Sequence, residues 1–512
     1  MLTISTDELT LDDIRFFINY VPQVELSSEA IARVERSRKM INDLVGSGAI
    51  VYGVNTGFGK FADVKINKTE TAELQRRLVL SHAAGVGDPM PEDIVRLMML
   101  LKIKNLSLGH SGVRKETVQF LVDMLNKRIT PVIPSKGSVG ASGDLAPLGH
   151  MAAAMLGEGQ CFVRSEEEIR RIPASKALQK AGLGQIRFEA KEGLALLNGT
   201  QAIQAFGLWT LIHTTELLTT ADIIGAMSLE ALLGTLTAFD ARIQQVRNHP
   251  GQEQTASNVR TLLQNSPIVQ SHRDSDHKVQ DAYSLRCIPQ VHGAVRDGLQ
   301  HVLDVFTREM NGVTDNPLIF PQDGEVLSGG NFHGQPLAMS ADYLGILLAE
   351  LAGISERRIE HMLDPAVSEM AGFLTKEGGL NSGFMIAQVT AAALVSENKV
   401  LTHPASVDSI PTSANKEDHV SMGAHAARKA KEILYNVQNV LAVELICACQ
   451  ALDLRAPLIP SRATGAVLDR VRPEIAHWKD DRFIHPDMMK AQELIHQGTV
   501  RSIVEEITGA LY

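Results

Sequence analysis

The chain has 512 residues, of which 44% are hydrophobic, so it can build a large core or more than one domain and is not extensively disordered. Its formal net charge of −10 argues against a nucleic-acid partner. The first eight residues carry acids where a signal peptide carries Lys or Arg, and no stretch approaches the roughly 18 apolar residues that cross a membrane. The cysteines are too few for a disulfide framework: Cys161, Cys287, Cys447 and Cys449. We therefore expect a reduced, cytoplasmic protein with no membrane partner.

Most of the chain after residue 190 is predicted to be helical. Apolar residues recur at i, i+3, i+4 and i+7 in one segment that ends before Pro365, namely at Leu344, Leu347, Leu348 and Leu351. Similar stripes occupy 208–218 and 433–445. Long helices between Gly- and Pro-rich loops predict a mainly α protein built as a long-helix bundle. We divide the chain into an irregular N-terminal region, 1–110, carrying active-site loops, and a helix-bundle domain, 111–512.

Two segments in the N-terminal region carry unusual residues. The segment Tyr52-Gly53-Val54-Asn55-Thr56-Gly57-Phe58-Gly59-Lys60 looks like a phosphate loop. Such a loop requires Gly where Val54 stands and Ser or Thr where Phe61 stands, so we exclude an ATP site. Tyr52 by itself could be a partly buried aromatic residue before a turn. The second segment, Ser81-His82-Ala83-Ala84-Gly85-Val86-Gly87, contains His82. A lone histidine is more often structural than functional.

A glycine-rich segment follows in the helical part, Gly137-Ser138-Val139-Gly140-Ala141-Ser142-Gly143-Asp144-Leu145-Ala146-Pro147. It could be a phosphate-binding nest, but no Lys-Ser/Thr pair follows it. It could also be a plain turn before a helix. The third interpretation is chemical: in a compressed turn the Gly143 nitrogen attacks the Ala141 carbonyl, and loss of two waters leaves an electrophilic exocyclic methylene at Ser142. A residue with free backbone dihedrals is needed at position 143.

The remaining polar loops have ordinary interpretations too. Asn198-Gly199 is typical of a turn, and Arg286 near Tyr283 could form a surface cation–π contact. Phe332 could belong to the core. Asn415 is followed by acids, as at a helix N-terminus. The histidines show no metal-ligand spacing, so we expect no catalytic metal.

The extended segment from Gly137 to Leu148 resembles the signature of the histidine and phenylalanine ammonia-lyase family, and the resemblance runs from Tyr52 to beyond Met422. It implies that Ala141-Ser142-Gly143 forms the prosthetic group 4-methylidene-imidazol-5-one (MIO), with no external cofactor. It also implies a homotetramer whose sites combine residues from three subunits, acting on a small amino-acid substrate.

The resemblance also implies roles for residues at matching positions. Tyr52 is the base for the β-proton, Asn198 hydrogen-bonds the MIO carbonyl oxygen, and Tyr283 lies beside the ring and assists amine or proton transfer. Arg286 binds the substrate carboxylate, which suits its planar fork. Further residues are expected near the substrate: Gln280, Phe332 and Met385.

The choice of substrate depends on two residues. His82 and Glu417 resemble the histidine-specific branch, in which they contact the imidazole, and imply elimination of ammonia from L-histidine to give trans-urocanate at the start of histidine degradation. Lys416 is a departure, because many bacterial members have Gln there, and a cation could compete for Glu417. Two alternatives stay open: a lyase or aminomutase for another aromatic amino acid, and a helical oligomeric scaffold that has lost catalysis.

Overall fold

The computed structural model describes residues 1–47, 70–164, 169–273 and 279–512. The predicted Tyr52 loop lies outside the described residues. The rest of the chain confirms a mainly α protein, in which helices are long and the described strands have three to five residues.

The described elements follow one another along the chain as helices with a few intervening strands. The helices are α1 (Leu11–Tyr20), α2 (Ser28–Ser47), α3 (Thr71–His82), α4 (Glu92–Ser107), α5 (Lys115–Asn126), α6 (Leu145–Met155), α7 (Ala174–Lys180), α8 (Glu192–Leu197), α9 (Gln201–Ala231), α10 (Ala241–Arg247), α11 (Pro250–Leu262), α12 (Pro267–Ser271), α13 (Tyr283–Arg286), α14 (Ile288–Met310), α15 (Gln335–Leu363), α16 (Pro365–Ser368), α17 (Met385–Leu401), α18 (Gly423–Leu454), α19 (Arg462–Val471), α20 (His485–His496) and α21 (Thr499–Thr508). The strands are β1 (Leu2–Ile4), β2 (Val24–Leu26), β3 (Val86–Pro89), β4 (Ile129–Pro131), β5 (Pro134–Lys136), β6 (Gln160–Arg164), β7 (Ile169–Pro173), β8 (Leu318–Phe320) and β9 (Glu325–Leu327).

The three predicted apolar stripes lie in α9, α15 and α18, whose stripe-forming residues are buried. Helix α15 ends at Leu363, two residues before Pro365, because proline cannot continue the hydrogen-bond pattern. Cys447 and Cys449 are fully buried in α18, where burial raises the pKa of both thiols. They are therefore core residues.

Helices α15 and α18 are also long and apolar enough, by length and composition, to cross a membrane. In their most apolar windows, 61% and 83% of the residues are buried within the protein. Core helices have this property, so the two helices are weak support for a membrane span.

The described residues form two compact units made of alternating segments of the chain. Unit 1 contains Met1–Trp209, Leu303–Asp342 and Pro404–Arg428, and unit 2 contains Thr210–Val302, Tyr343–His403 and Lys429–Tyr512. Unit 1 therefore includes residues on both sides of position 110. The domain boundary proposed there stays a prediction.

Unit 1 holds all the described strands, in four small sheets. Strands β1 and β2 pair in parallel, with Leu2 opposite Val24, whereas β3 and β5 pair antiparallel. Strands β4, β6 and β7 form an antiparallel sheet, and β8 and β9 form a hairpin. Strand β5 leads directly into the glycine-rich segment, and α6 follows that segment. The segment is exposed at Gly137, next to the strand, and becomes largely buried from Gly140 onwards.

Unit 2 contains a buried network of charged side chains. Arg358 donates to both carboxylate oxygens of Glu444 at 2.5 and 2.9 Å, and Ser228 and Ser355 donate to the same carboxylate. None of these four side chains is exposed. A buried ion pair needs such extra hydrogen bonds, because removing both charges from water costs several kcal/mol.

His213 in α9 predicts a pH dependence of stability. Its ring stacks on that of His496 at 5.1 Å, and burial, His496 and Lys431 lower the pKa of His213 to about 3. The unfolded chain binds a proton at this position below about pH 6.5 and the folded chain does not, so stability falls as the pH falls from 6.5 towards 3. We expect His213→Gln to reduce the loss of unfolding free energy between pH 7 and 5 by about 2 kcal/mol. Urea unfolding of both proteins at pH 7 and pH 5 measures this loss. If the loss in His213→Gln equals that of the wild type, the assignment to His213 is contradicted.

Candidate active site

The glycine-rich segment of unit 1 folds back on itself. Ser138 Oγ donates to the Gly143 carbonyl at 3.3 Å and accepts from the Gly140 N–H at 3.2 Å. Gly140 and Gly143 have φ of 68° and 73°, a left-handed conformation that other residues rarely adopt. The sequence Gly-x-x-Gly therefore permits a tight loop with Ala141, Ser142 and Gly143 at its centre. Ala141 and Gly143 are buried and Ser142 is partly buried.

Gly143 lies against Gly199, and the two form an isolated parallel bridge. The Asp144 N–H donates to the Gly199 carbonyl at 2.7 Å. A Cβ atom added to Gly143 would lie 2.0 Å from that carbonyl oxygen. The backbone is thus compressed against a second backbone segment, and only glycine fits there.

The Asp144 carboxylate connects the loop to the amino end of α9. Its Oδ2 accepts hydrogen bonds from the Ala202 and Ile203 N–H groups, both at 2.9 Å. A helix N-terminus favours such a negative charge. Burial raises the pKa of Asp144 to about 7, although these backbone hydrogen bonds and Ser138 act in the opposite direction.

Asn198, predicted to bind the ring carbonyl, follows α8 and is buried. Its side-chain Nδ2 donates a hydrogen bond to the backbone carbonyl of Asn316 at 2.9 Å. Its backbone carbonyl accepts a hydrogen bond from Lys102 Nζ at 2.5 Å. An amide nitrogen carries two hydrogens, so one remains for a further acceptor. Its neighbour Gly199 lies against Gly143. Asn198 is therefore one residue away from the backbone contact with Gly143.

Glu417 lies next to Ser142 in the structure. Ser142 Oγ donates to Glu417 Oε1 at 2.9 Å, and Thr412 Oγ1 donates to Oε2 at 2.5 Å. Nearby, Ser421 Oγ donates to the Gly140 carbonyl at 3.0 Å. The loop containing Glu417 is thus bonded to the glycine-rich segment. Helix α18 begins only at Gly423, so Asn415 does not cap a helix, and Lys416 is exposed.

His82 is the last residue of α3, which packs against α6. Its Nδ1 lies 2.8 Å from the Leu78 carbonyl oxygen. A proton on Nδ1 satisfies this contact and leaves Nε2 as the acceptor nitrogen. Phe332 is partly buried in the loop before α15, where the neighbouring His333 stacks on His419 with ring centroids 5.9 Å apart.

Four predicted residues lie in unit 2. Gln280, Tyr283 and Arg286 line a cavity of about 710 Å³. The Arg286 guanidinium lies 4.7 Å from the centroid of the Tyr283 ring, so the cation–π contact is present. Arg286 Nε is buried with no hydrogen-bond partner among the described residues, which leaves a donor for a ligand. Met385 is the first residue of α17 and is partly buried.

Sequence reasoning assigned no role to three residues that build the loop: Lys102, Asp144 and Thr412. Lys102 had a signal, because it interrupts the apolar run from Leu97 to Ile103. Asp144 stood inside the recognised segment. Nothing in the sequence pointed to Thr412. Within the described ranges, no group of three or more His, Cys, Asp or Glu side chains could hold a metal ion.

Comparison with known proteins identifies the family of the chain. Residues 9–473 match the model of a family described as aromatic amino acid lyase. The chain belongs to the aromatic amino acid lyase family. This confirms the predicted family. It also confirms the prediction that the protein is a lyase.

Relatives within the aromatic amino acid lyase family match along their full length. The chain is 51% identical to a histidine ammonia-lyase of Natranaerobius thermophilus over 513 residues, which covers 100% of both chains. A crystal structure of histidine ammonia-lyase from Trypanosoma cruzi is 42% identical, with a TM-score of 0.91, and the match covers 99% of this chain and 95% of that one. A tyrosine aminomutase from Streptomyces globisporus is 34% identical, with a TM-score of 0.93 and 99% of each chain covered.

Proposed function

We propose that this protein eliminates ammonia from L-histidine to give trans-urocanate, the first step of histidine degradation, using an MIO group made from Ala141-Ser142-Gly143. The observation that carries the proposal is the 2.9 Å hydrogen bond between Ser142 Oγ and Glu417 Oε1. It joins a residue of the proposed electrophile to the carboxylate proposed to bind imidazole. Full-length relatives named histidine ammonia-lyase support the substrate.

The residues around the loop fit an MIO group. Gly143 has no room for a side chain, and Ala141 and Ser142 lie in a tight loop with left-handed glycines on both sides. Asn198 would hold the ring carbonyl through the second hydrogen of its Nδ2. The chemistry that an MIO group supplies is an electrophilic methylene, which activates a poor leaving group.

The chain's own residues bind and orient histidine in this proposal. Arg286 pairs with the substrate carboxylate, and its buried Nε, which has no hydrogen-bond partner in the described part of the chain, is one donor for that purpose. Glu417 accepts a hydrogen bond from the imidazole, and His82 contacts the same ring through Nε2. Tyr52 removes the β-proton and Tyr283 assists proton transfer. The side chains proposed to complete the pocket are Gln280, Phe332 and Met385.

The proposal includes a cytoplasmic homotetramer with sites shared between subunits. Support for it is the family relationship. Light scattering of the purified protein tests the assembly: a monomer that turns over histidine at the full rate contradicts shared sites.

The direct test of function is to add L-histidine and follow the ultraviolet absorbance of urocanate. Chromatography of the products distinguishes urocanate from a β-amino acid, which an aminomutase would release. Both products must be measured because the chain is also similar to a tyrosine aminomutase. Turnover of L-phenylalanine or L-tyrosine without turnover of L-histidine contradicts the substrate.

Glu417→Gln tests the imidazole contact separately from the ring. Before ring formation the amide still accepts a hydrogen bond from Ser142, so the ring can form, but the amide lacks the charge that strengthens a bond to imidazole. We expect kcat/KM for L-histidine to fall about 10²-fold, with the loss of two waters still seen by intact mass.

The matched control is Asp418→Asn, which makes the same change at the exposed neighbouring position. It should retain wild-type kinetics. An equal loss in both variants would show that the loop responds to net charge and that Glu417 has no specific contact.

A further inference from the structure

A lysine without a role in the proposed reaction is fully buried beside the Asn198-Gly199 turn. Lys102 Nζ donates to the Asn198 carbonyl at 2.5 Å and to Gln201 Oε1 at 3.4 Å. Its side chain projects from α4, and the residues on either side of Lys102 in that helix, Leu101 and Ile103, are also buried. Burying an ammonium group costs several kcal/mol, so its presence here requires compensating charges and a use.

The compensating charges come from a buried cluster in unit 1. Asp315 pairs with Lys191 at 2.7 Å, and Asp144 is the carboxylate at the amino end of α9. Burial lowers the pKa of Lys102 to about 7, while the charges of Asp315 and Asp144 favour its protonated form and Lys191 opposes it. The buried cluster therefore contains two lysines and two aspartates, and the two aspartates favour the protonated form of Lys102.

This cluster holds the turn between α8 and α9 from both sides. Lys102 binds the Asn198 carbonyl at the carboxyl end of α8, where a cation is favoured, and Asp144 binds N–H groups at the amino end of α9. Gly199 lies between these two anchors, and its carbonyl accepts from the Asp144 N–H. The same carbonyl occupies the space beside Gly143. A shift of the turn would release the compression of the loop.

We propose that Lys102 is a positioning residue for ring formation: its ammonium group holds the Asn198-Gly199 turn against Ser142 and Gly143. The inference rests on the proposed function, because it concerns the MIO ring. Lys102 does not touch the reacting atoms and acts through Asn198 and Gly199.

Ring formation needs no oxidant and balances as a double dehydration. The Gly143 nitrogen forms a bond to the Ala141 carbonyl carbon. One water carries away that carbonyl oxygen with the amide hydrogens of Gly143 and Ser142, which leaves a C=N bond. The second water carries the Ser142 hydroxyl with the Ser142 Cα hydrogen, which leaves the exocyclic methylene. The turn has only to keep the loop compressed while these bonds form.

Lys102→Met is the test, with Lys104→Met as its matched control. Lys104 lies on the same helix, is also buried, and donates to the carbonyls of Ser5 and Asp7, away from the loop. Intact mass of the full-length proteins reports the loss of two waters, and thermal unfolding reports the fold. We expect the fraction of dehydrated chains to fall about tenfold in Lys102→Met and to stay at the wild-type level in Lys104→Met.

Lys102→Arg retains the cation and should recover part of the dehydrated fraction, whereas Lys102→Gln should not. If Lys102→Met gives no folded protein, the comparison of Lys102→Arg with Lys102→Gln replaces it. Equal dehydrated fractions in these two variants overturn the inference. Complete dehydration of folded Lys102→Met also overturns it, as does an equal loss in Lys104→Met. An undehydrated wild-type chain contradicts the proposed function itself, so the two failures are distinguishable.

Discussion

Replacing Ser142 with alanine is expected to lower kcat/KM for L-histidine by about 10³-fold or more while leaving the protein folded. Alanine has no hydroxyl to lose, so the exocyclic methylene cannot form. The hydrogen bond from Ser142 to Glu417 belongs to the chain before ring formation, and its absence from a partly buried position should cost about 1 kcal/mol of unfolding free energy relative to that uncyclised chain. Urocanate formation, intact mass and thermal unfolding measure the three effects.

Ser135→Ala is the matched control, because it removes a hydroxyl from β5, the strand that leads into the same loop. Ser135→Ala should still lose two waters and should turn over L-histidine at the wild-type rate. Substantial histidine turnover by folded Ser142→Ala would contradict the MIO mechanism, whatever the mass of the wild-type protein.

Gly143→Ala is the second change with a large expected effect. The new Cβ would lie 2.0 Å from the Gly199 carbonyl oxygen, and alanine would be strained at a φ of 73°. The loop and the Asn198-Gly199 turn must separate, which removes the compression on which the proposed ring closure depends. We expect no two-water loss, no activity above that of Ser142→Ala, and a cost of about 3 kcal/mol or more in unfolding free energy.

Gly159→Ala separates backbone strain from steric contact. Gly159 has the same φ of 73°, but a Cβ there meets nothing within 4 Å. This control carries the cost of the left-handed conformation alone, about 1–2 kcal/mol, and should retain ring and activity. Normal dehydration in Gly143→Ala would show that the contact with Gly199 is not required.

Much of the fold was predictable because its signal is local. Apolar residues spaced at 3.6-residue intervals predict α9, α15 and α18, and Pro365 predicts where α15 ends. The N-terminal region carries weaker periodicity, so its small sheets were not placed in advance. The alternation of segments between the two units was also unpredicted, since chain order carries no information on which distant segments pack together.

The proposed site likewise contains residues that the sequence identified and residues that it did not. The Ala141-Ser142-Gly143 segment, Asn198 and Glu417 were found because each stands in a recognisable run of residues. Tyr52 lies outside the described residues, and the roles of all the site residues stay predictions. Lys102 was missed because its partners, Asn198 and Gln201, lie 96 and 99 positions away in the chain. Thr412 was missed because no motif in its own segment marks the hydrogen bond that it donates to Glu417.

The sequence by itself determined the predominance of helix, the family and the residues able to form the electrophile, because these depend on periodicity and on contiguous segments. Tertiary structure decided which residues meet: Ser142 and Glu417, 275 positions apart, share a hydrogen bond, and Gly143 lies against Gly199. Such contacts depend on how buried charges and apolar faces are satisfied together in the folded chain. The compression of the loop, on which the proposed chemistry depends, is therefore a property of the fold and cannot be read from the tripeptide.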